Sequence, residues 1–145
     1  MNIEVELIPL DKQEELIVHC HNKEERWVEN VLNAAQQESM IMGKKDGLSY
    51  RININDVYYF EVVDDRSFMY TKQNVYETTL RLYEFEQKAK DLMFFRSSKS
   101  NVVNIRKIKC VKPSLSGKFE LTLLNDYKLL VSRRYVAELK RMINI

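Results

Sequence analysis

The sequence predicts an α+β fold in which antiparallel β-strands predominate. Several runs alternate apolar with polar residues, the period that places every second side chain on one face of a strand. Turn sequences such as Lys45-Asp46-Gly47 and Asn125-Asp126 separate neighbouring runs, as expected for hairpins. Three other segments carry apolar residues at helical spacing, and we therefore predict three short helices among the strands.

The first 38 residues are predicted to form two strands and a helix. Residues 3–7 alternate apolar side chains with glutamate, and residues 16–20 repeat the spacing of the apolar positions. Asn22 is followed three positions later by Glu25, a capping-box pattern that opens an amphipathic helix. We therefore expect a β-β-α arrangement here.

Residues 39–145 are predicted to form a β-rich domain with two further helices. One helix is expected over about residues 80–90, and the other follows Ser132, a residue type favoured at N-caps. Strands are expected at residues 40–42, 48–54, 56–63, 67–71, 75–78, 102–111, 119–123 and 127–131. Charge and pattern both change near Glu38, so we predict an accessory segment, residues 1–38, and a domain, residues 39–145.

Composition favours a cytoplasmic protein. No run approaches the ~20 apolar residues that span a bilayer. The N-terminus lacks the basic and apolar regions of a signal peptide. The two cysteines, Cys20 and Cys110, lie far apart in the sequence, which fits a reducing compartment better than a disulfide framework.

Local motifs give no sign of an enzyme. The three glycines are isolated turn residues, so there is no phosphate-binding loop. His19 and His21 flank Cys20, but a metal site needs further ligands, and we interpret these residues as strand surface. The carboxylate pair Asp64-Asp65 is interpreted as a charged hairpin tip. The sequence therefore predicts no catalytic residue, metal site or cofactor.

Charge is distributed unevenly along the chain. The net charge is +2 overall, but it is −6 over residues 1–38 and +9 over residues 94–145. A basic third beside an acidic third favours a polyanionic partner. The alternative is a ribosomal or merely soluble surface on which the charges segregate by chance.

Two polar runs within the basic third are suited to nucleic acid. Residues 96–101, RSSKSN, place two cations among hydroxyls and an amide, groups that bind phosphates and base edges. Residues 132–134, SRR, place two arginines where a helix is expected to begin, and helix N-termini also favour phosphate. Taken singly, each run is equally well explained as a solvated turn or cap.

Two other functions compete with duplex DNA binding. An RNA-binding module would use the same basic face, but the sequence lacks the aromatic-basic RNP pattern and the GXXG clamp. A protein-interaction domain would use the basic third to meet an acidic partner. Competition between duplex DNA and single-stranded RNA, and the salt dependence of binding, separate these alternatives.

Four segments, in their order, resemble LytTR-type DNA-binding domains of bacterial transcriptional regulators. Residues 94–104, FFRSSKSNVVN, resemble the central signature of that family, and residues 130–135, LVSRRY, resemble its closing strand-to-helix motif. Residues 56–61, DVYYFE, and 68–71, FMYT, resemble its early strands. The resemblance covers about residues 41–142 and implies small antiparallel sheets with short helices.

The resemblance also implies that loops, not a recognition helix, read double-stranded DNA. Arg134 takes the principal major-groove position of the closing motif, with Arg133 beside it. Lys99 lies in the polar loop, and Arg66 lies at the tip between the early strands. Asp64-Asp65 departs from the family pattern, because carboxylates beside Arg66 would repel phosphate. The predicted DNA-contacting residues are Arg66, Arg96, Ser97, Ser98, Lys99, Ser100, Asn101, Ser132, Arg133 and Arg134.

The chain resembles the stand-alone branch of the family. Only about 38 residues precede the resemblance, too few for a phosphoacceptor receiver domain. By analogy with such members, the resemblance implies regulation by a membrane protein or another partner, and the acidic residues 1–38 are a candidate docking surface. The resemblance further implies a homodimer on DNA.

Overall fold

The chain is described by a computed structural model, which covers residues 1–13, 15–37 and 39–145. It divides into two compact units, Met1–Ala35 and Gln36–Ile145. In the described residues, no helix is both long and apolar enough to cross a bilayer.

The N-terminal prediction of two strands is wrong. Residues 3–7 and 16–20 form no strand, and the side chains of Ile3, Val5 and Leu7 are more than 80% exposed. An isolated two-stranded hairpin is marginal in water, so an alternating pattern does not by itself form a strand.

The N-terminal helix begins later than predicted. Helix α1 spans Arg26–Gln37. The Asn22 side chain accepts a hydrogen bond from the backbone N–H of Glu24 at 3.0 Å, so it closes a turn before the helix and does not cap it. Asparagine favours such local turns as readily as caps.

A seven-stranded antiparallel sheet forms the centre of the second unit, Gln36–Ile145. Its strands are β1 Met40–Lys45, β2 Leu48–Asn53, β3 Tyr59–Val63, β4 Arg66–Tyr70, β5 Val75–Thr78, β6 Phe94–Arg96 and β7 Asn101–Asn104, in the order β2-β1-β5-β4-β3-β7-β6. The predicted hairpin over residues 40–54 is confirmed. The Asp64-Asp65 turn joins β3 to β4, with positive φ at both residues, as a tight hairpin requires.

A three-stranded sheet follows, with strands β8 Ile108–Pro113, β9 Phe119–Leu123 and β10 Lys128–Val131 in the order β10-β9-β8. The prediction of one strand over residues 102–111 is wrong, since a 3-10 turn, Ile105–Lys107, separates β7 from β8. Asn104 causes this break. Its side-chain oxygen accepts from the Arg106 N–H at 3.0 Å, and its amide donates to the Val57 carbonyl at 3.0 Å.

Two helices complete this unit: α2 Leu82–Lys88 and α3 Val136–Ile143. The predicted Ser132 cap of the last helix is wrong, because its side chain makes no capping bond. A 3-10 turn, Arg133–Tyr135, comes first, and the Ser132 carbonyl accepts from the Tyr135 N–H at 2.8 Å. The backbone closes this turn without the hydroxyl.

The core lies on both faces of the larger sheet. Alternate residues of β3 and β7 belong to different apolar clusters: Phe60 and Val102 pack with Phe85 of α2, whereas Tyr59 and Val103 pack with the smaller sheet and α3. Sequential residues of a strand face opposite ways, so the larger sheet lies between α2 and the smaller sheet. The antiparallel β fold with short helices is confirmed.

Candidate nucleic-acid interface

The β6–β7 loop is closed by its own hydrogen bonds. The Ser97 N–H and hydroxyl both donate to the Asn101 carbonyl, at 3.0 and 3.4 Å. The Ser100 N–H donates to the Ser98 hydroxyl at 3.3 Å, and Arg96 Nη2 donates to the Lys99 carbonyl at 3.2 Å. The loop backbone is therefore fixed while the Lys99 side chain is exposed.

Two backbone hydrogen bonds connect this loop to the other predicted regions. The Ser100 carbonyl accepts from the Val62 N–H at 3.0 Å, next to the β3–β4 hairpin tip. The Ser97 carbonyl accepts from the Ser132 N–H at 2.9 Å, at the end of β10. The hairpin tip, the polar loop and the closing motif therefore lie side by side at one end of the strands.

The closing motif presents two exposed cations. Arg133 and Arg134 are both exposed, and the Arg134 guanidinium carbon lies 5.7 Å from the centre of the Tyr135 ring. Within the described residues, no ion pair includes Lys99, Arg133 or Arg134. Their charge is available to an external anion.

Arg66 is paired on the sheet surface. Its Nε and Nη2 donate to the two carboxylate oxygens of Glu77 on β5, at 2.9 and 2.7 Å, and its guanidinium lies 5.3 Å from the Phe68 ring. The hydrogen bond to Glu77 raises the pKa of Arg66 and holds the pKa of Glu77 below its usual range. The hairpin tip beyond this pair carries the carboxylates of Asp64 and Asp65.

Several predicted site residues support the loop from within. Ser97 is fully buried, and Arg96 Nε lies 3.7 Å from the Glu86 carboxylate on α2. The Ser100 hydroxyl donates to the Asn101 side-chain oxygen at 3.1 Å. Ser98, Ser100, Asn101 and Ser132 are partly exposed.

One neighbour of the site was missed by sequence reasoning. The β8–β9 turn, residues 114–118, lies against Arg133, because an added Cβ on Gly117 would stand 2.9 Å from the Arg133 Cδ. The serines and the glycine of this segment, which follow Pro113, are typical of a turn and indicate nothing more. No local pattern indicates which distant residue the turn contacts.

Comparison with known proteins identifies the family. Residues 48–144 match the LytTr DNA-binding domain. The chain belongs to the LytTR family of DNA-binding domains, as its motifs predicted. The family comprises transcriptional regulators and not enzymes, so that prediction also is confirmed.

Relatives include regulators from several bacteria. YpdB, a transcriptional regulatory protein of Escherichia coli K12, is 32% identical over 93 residues, which are 63% of this chain but 38% of YpdB. The sensory transduction protein LytT of Enterococcus faecalis is 26% identical over 81% of this chain and 48% of its own length. An uncharacterized HTH-type transcriptional regulator of Staphylococcus aureus is 28% identical, covering 80% of this chain and 78% of that protein.

A solved structure has the same fold. A LytTr DNA-binding domain from Bacillus cereus superposes with a TM-score of 0.69 at 22% identity. The match covers 74% of this chain and 98% of that domain.

Proposed function

We propose that this chain regulates transcription by binding a specific double-stranded DNA site through loops at one end of its β domain. The observation that carries the proposal is the pair of backbone hydrogen bonds, Val62 to Ser100 and Ser132 to Ser97. These bonds hold three polar elements together around Lys99, Arg133 and Arg134, which have no carboxylate partner in the described part of the chain.

Each side chain has a role set by its chemistry and surroundings. We assign base reading to Arg134, because a guanidinium donates two parallel hydrogen bonds in a fixed geometry, and a phosphate contact to Lys99, because an ammonium acts as a point charge. Arg133, whose stem lies on Gly117, is assigned a second phosphate contact. Ser98, Ser100, Asn101 and Ser132 add hydrogen bonds to phosphate or base edges. The buried Ser97 and the paired Arg96 fix the shape of the loop.

Arg66 is proposed to reach DNA only by exchanging Glu77 for phosphate. Exposed ion pairs are weak, so the exchange costs little, and removing Glu77 should favour it. We expect Glu77→Gln to raise affinity for duplex DNA by about two- to fivefold. Asp126→Asn is the matched control, since Asp126 pairs with Lys109 at 2.9 Å, outside the proposed interface. If the two variants raise the affinity equally, the gain reflects the change in net charge and not the release of Arg66.

The direct test of the proposed function is selection from random DNA. Purified full chain should enrich a defined duplex motif, and that duplex should outcompete single-stranded RNA of equal length. A preference for the RNA would indicate an RNA-binding module instead. Binding to neither nucleic acid would favour a protein-interaction domain.

We propose that residues 1–38 are an accessory segment. Every residue of the proposed interface belongs to the unit Gln36–Ile145, so a fragment that begins at Ser39 should enrich the same motif as the full chain. Selection with both proteins, after circular dichroism confirms that each is folded, tests this. A folded fragment without sequence preference would show that the acidic residues 1–38 take part in recognition of the DNA sequence.

We propose a homodimer on DNA, with the acidic residues 1–38 as the docking surface for a regulatory membrane protein or another partner in the cytoplasm. Residues 1–38 have a net charge of −6, which would keep them away from DNA and favours a basic surface on the partner.

A further inference from the structure

The β8–β9 turn lies beside the closing motif because of the register of the smaller sheet. Phe119 pairs with Pro113 on one side and with Val131 on the other. The three strands therefore end in line, and the turn of residues 114–118 emerges next to Ser132. Ser132 in turn donates to the Ser97 carbonyl, so the turn lies at the same end of the molecule as the polar loop.

The Arg133 side chain packs against the backbone of Gly117. A Cβ at Gly117 would lie 2.9 Å from the Arg133 Cδ and 3.2 Å from its Cγ, distances at which one group must move. The Arg133 stem therefore lies on the bare backbone of the turn. Long cationic side chains often bury their stem and leave the head in water, and here the stem contact restricts where the guanidinium can lie.

Lys118 adds an exposed cation to the same turn. The Ser114 N–H donates to the Lys118 carbonyl at 2.8 Å, and the Lys118 N–H donates to the Leu115 carbonyl at 3.2 Å, so the turn has a fixed shape. Within the described residues, Lys118 takes part in no ion pair, whereas Lys112 lies 3.6 Å from the Glu120 carboxylate.

We infer that this turn is a fourth element of the DNA interface, in which Lys118 contacts a phosphate and Gly117 positions Arg133. The inference rests on the proposed function. It assigns DNA contact to a segment outside the hairpin tip, the polar loop and the closing motif. The ligand is the phosphate backbone, which carries no sequence information.

The Lys118 contact is tested by the salt dependence of binding. Lys118→Gln should reduce the slope of log K against log salt by about 0.9 and weaken all duplexes about three- to tenfold at 0.1 M salt. Lys72→Gln is the matched control, because Lys72 lies in the loop that follows β4, at the opposite end of the strands from the hairpin tip. If the Lys118 variant keeps the wild-type slope, Lys118 contacts no phosphate.

The positioning role of Gly117 is tested by a pair of glycine variants. Gly117 and Gly47 both have positive φ, 74° and 77°, but a Cβ on Gly47 would meet no atom within 4 Å. Both alanine variants bear the same backbone strain, yet only Gly117→Ala should weaken DNA binding. In an Arg133→Ala background, Gly117→Ala should weaken it no further.

Parallel measurement of Arg134→Ala separates the two hypotheses. If Arg134→Ala loses affinity while Lys118→Gln and Gly117→Ala bind as the wild type does, the inference about the turn is wrong and the proposed function stands. If the wild-type chain itself does not bind duplex DNA, both are wrong.

Discussion

Raising the salt concentration from 50 to 200 mM should weaken binding of the full chain to its duplex site by about two to four orders of magnitude. Each phosphate contact displaces condensed counterions, so log K falls with log salt in proportion to the contacts, here about four to eight. Residues 94–145 have a net charge of +9, but several of their cations are already paired. Lys109 pairs with Asp126, and Lys112 and Lys128 share Glu120, which keeps the estimate well below the number of cations.

Fluorescence anisotropy with a labelled duplex at four salt concentrations measures this slope. Lys109→Gln is a suitable control, because Lys109 is paired and lies outside the proposed interface, and its slope should equal that of the wild type. A flat profile for the wild-type chain would contradict the electrostatic part of the proposed function, whatever the affinity at a single salt concentration.

The β domain was predictable because its signals are local. Alternation of apolar and polar residues places strands, and Asp46-Gly47 closes the β1–β2 hairpin with positive φ at both positions. The order of the motifs in residues 94–104 and 130–135 then identified the family. Each of these signals occupies a few consecutive residues.

Features that depend on distant partners were not predictable in this way. Residues 3–7 have the pattern of a strand but form none, because pairing with another strand is not decided by the local pattern. Asn104, whose side chain closes the 3-10 turn that interrupts a strand-like run, is buried and also donates to the carbonyl of Val57, a residue far away in the sequence. The Arg66–Glu77 ion pair and the contact between Gly117 and Arg133 were not predicted for the same reason, since both join residues that are separated in the sequence.

Arg134→Lys should keep the charge and most of the nonspecific binding, yet lose about 1–3 kcal/mol of discrimination at one base pair. A guanidinium can donate two parallel hydrogen bonds to guanine O6 and N7, and an ammonium cannot reproduce that geometry. The backbone under Arg134 is held by the Ser132 N–H bond to the Ser97 carbonyl and by the Tyr135 N–H bond to the Ser132 carbonyl, at 2.9 and 2.8 Å. The Arg134 guanidinium therefore extends from a turn of fixed shape. Selection from random duplex DNA by the Arg134→Lys variant measures the lost base preference.

Arg133→Lys is the matched control for that selection, since the two residues are adjacent, equally charged and both exposed. The aliphatic part of the Arg133 side chain lies on Gly117, and we assign Arg133 to a phosphate contact. A lysine can make the same contact, so the Arg133→Lys variant should select the wild-type motif. Circular dichroism must show that both variants remain folded. If instead Arg134→Lys selects the wild-type motif at every position while Arg133→Lys does not, the base reader is Arg133, and the roles of the two arginines must be exchanged.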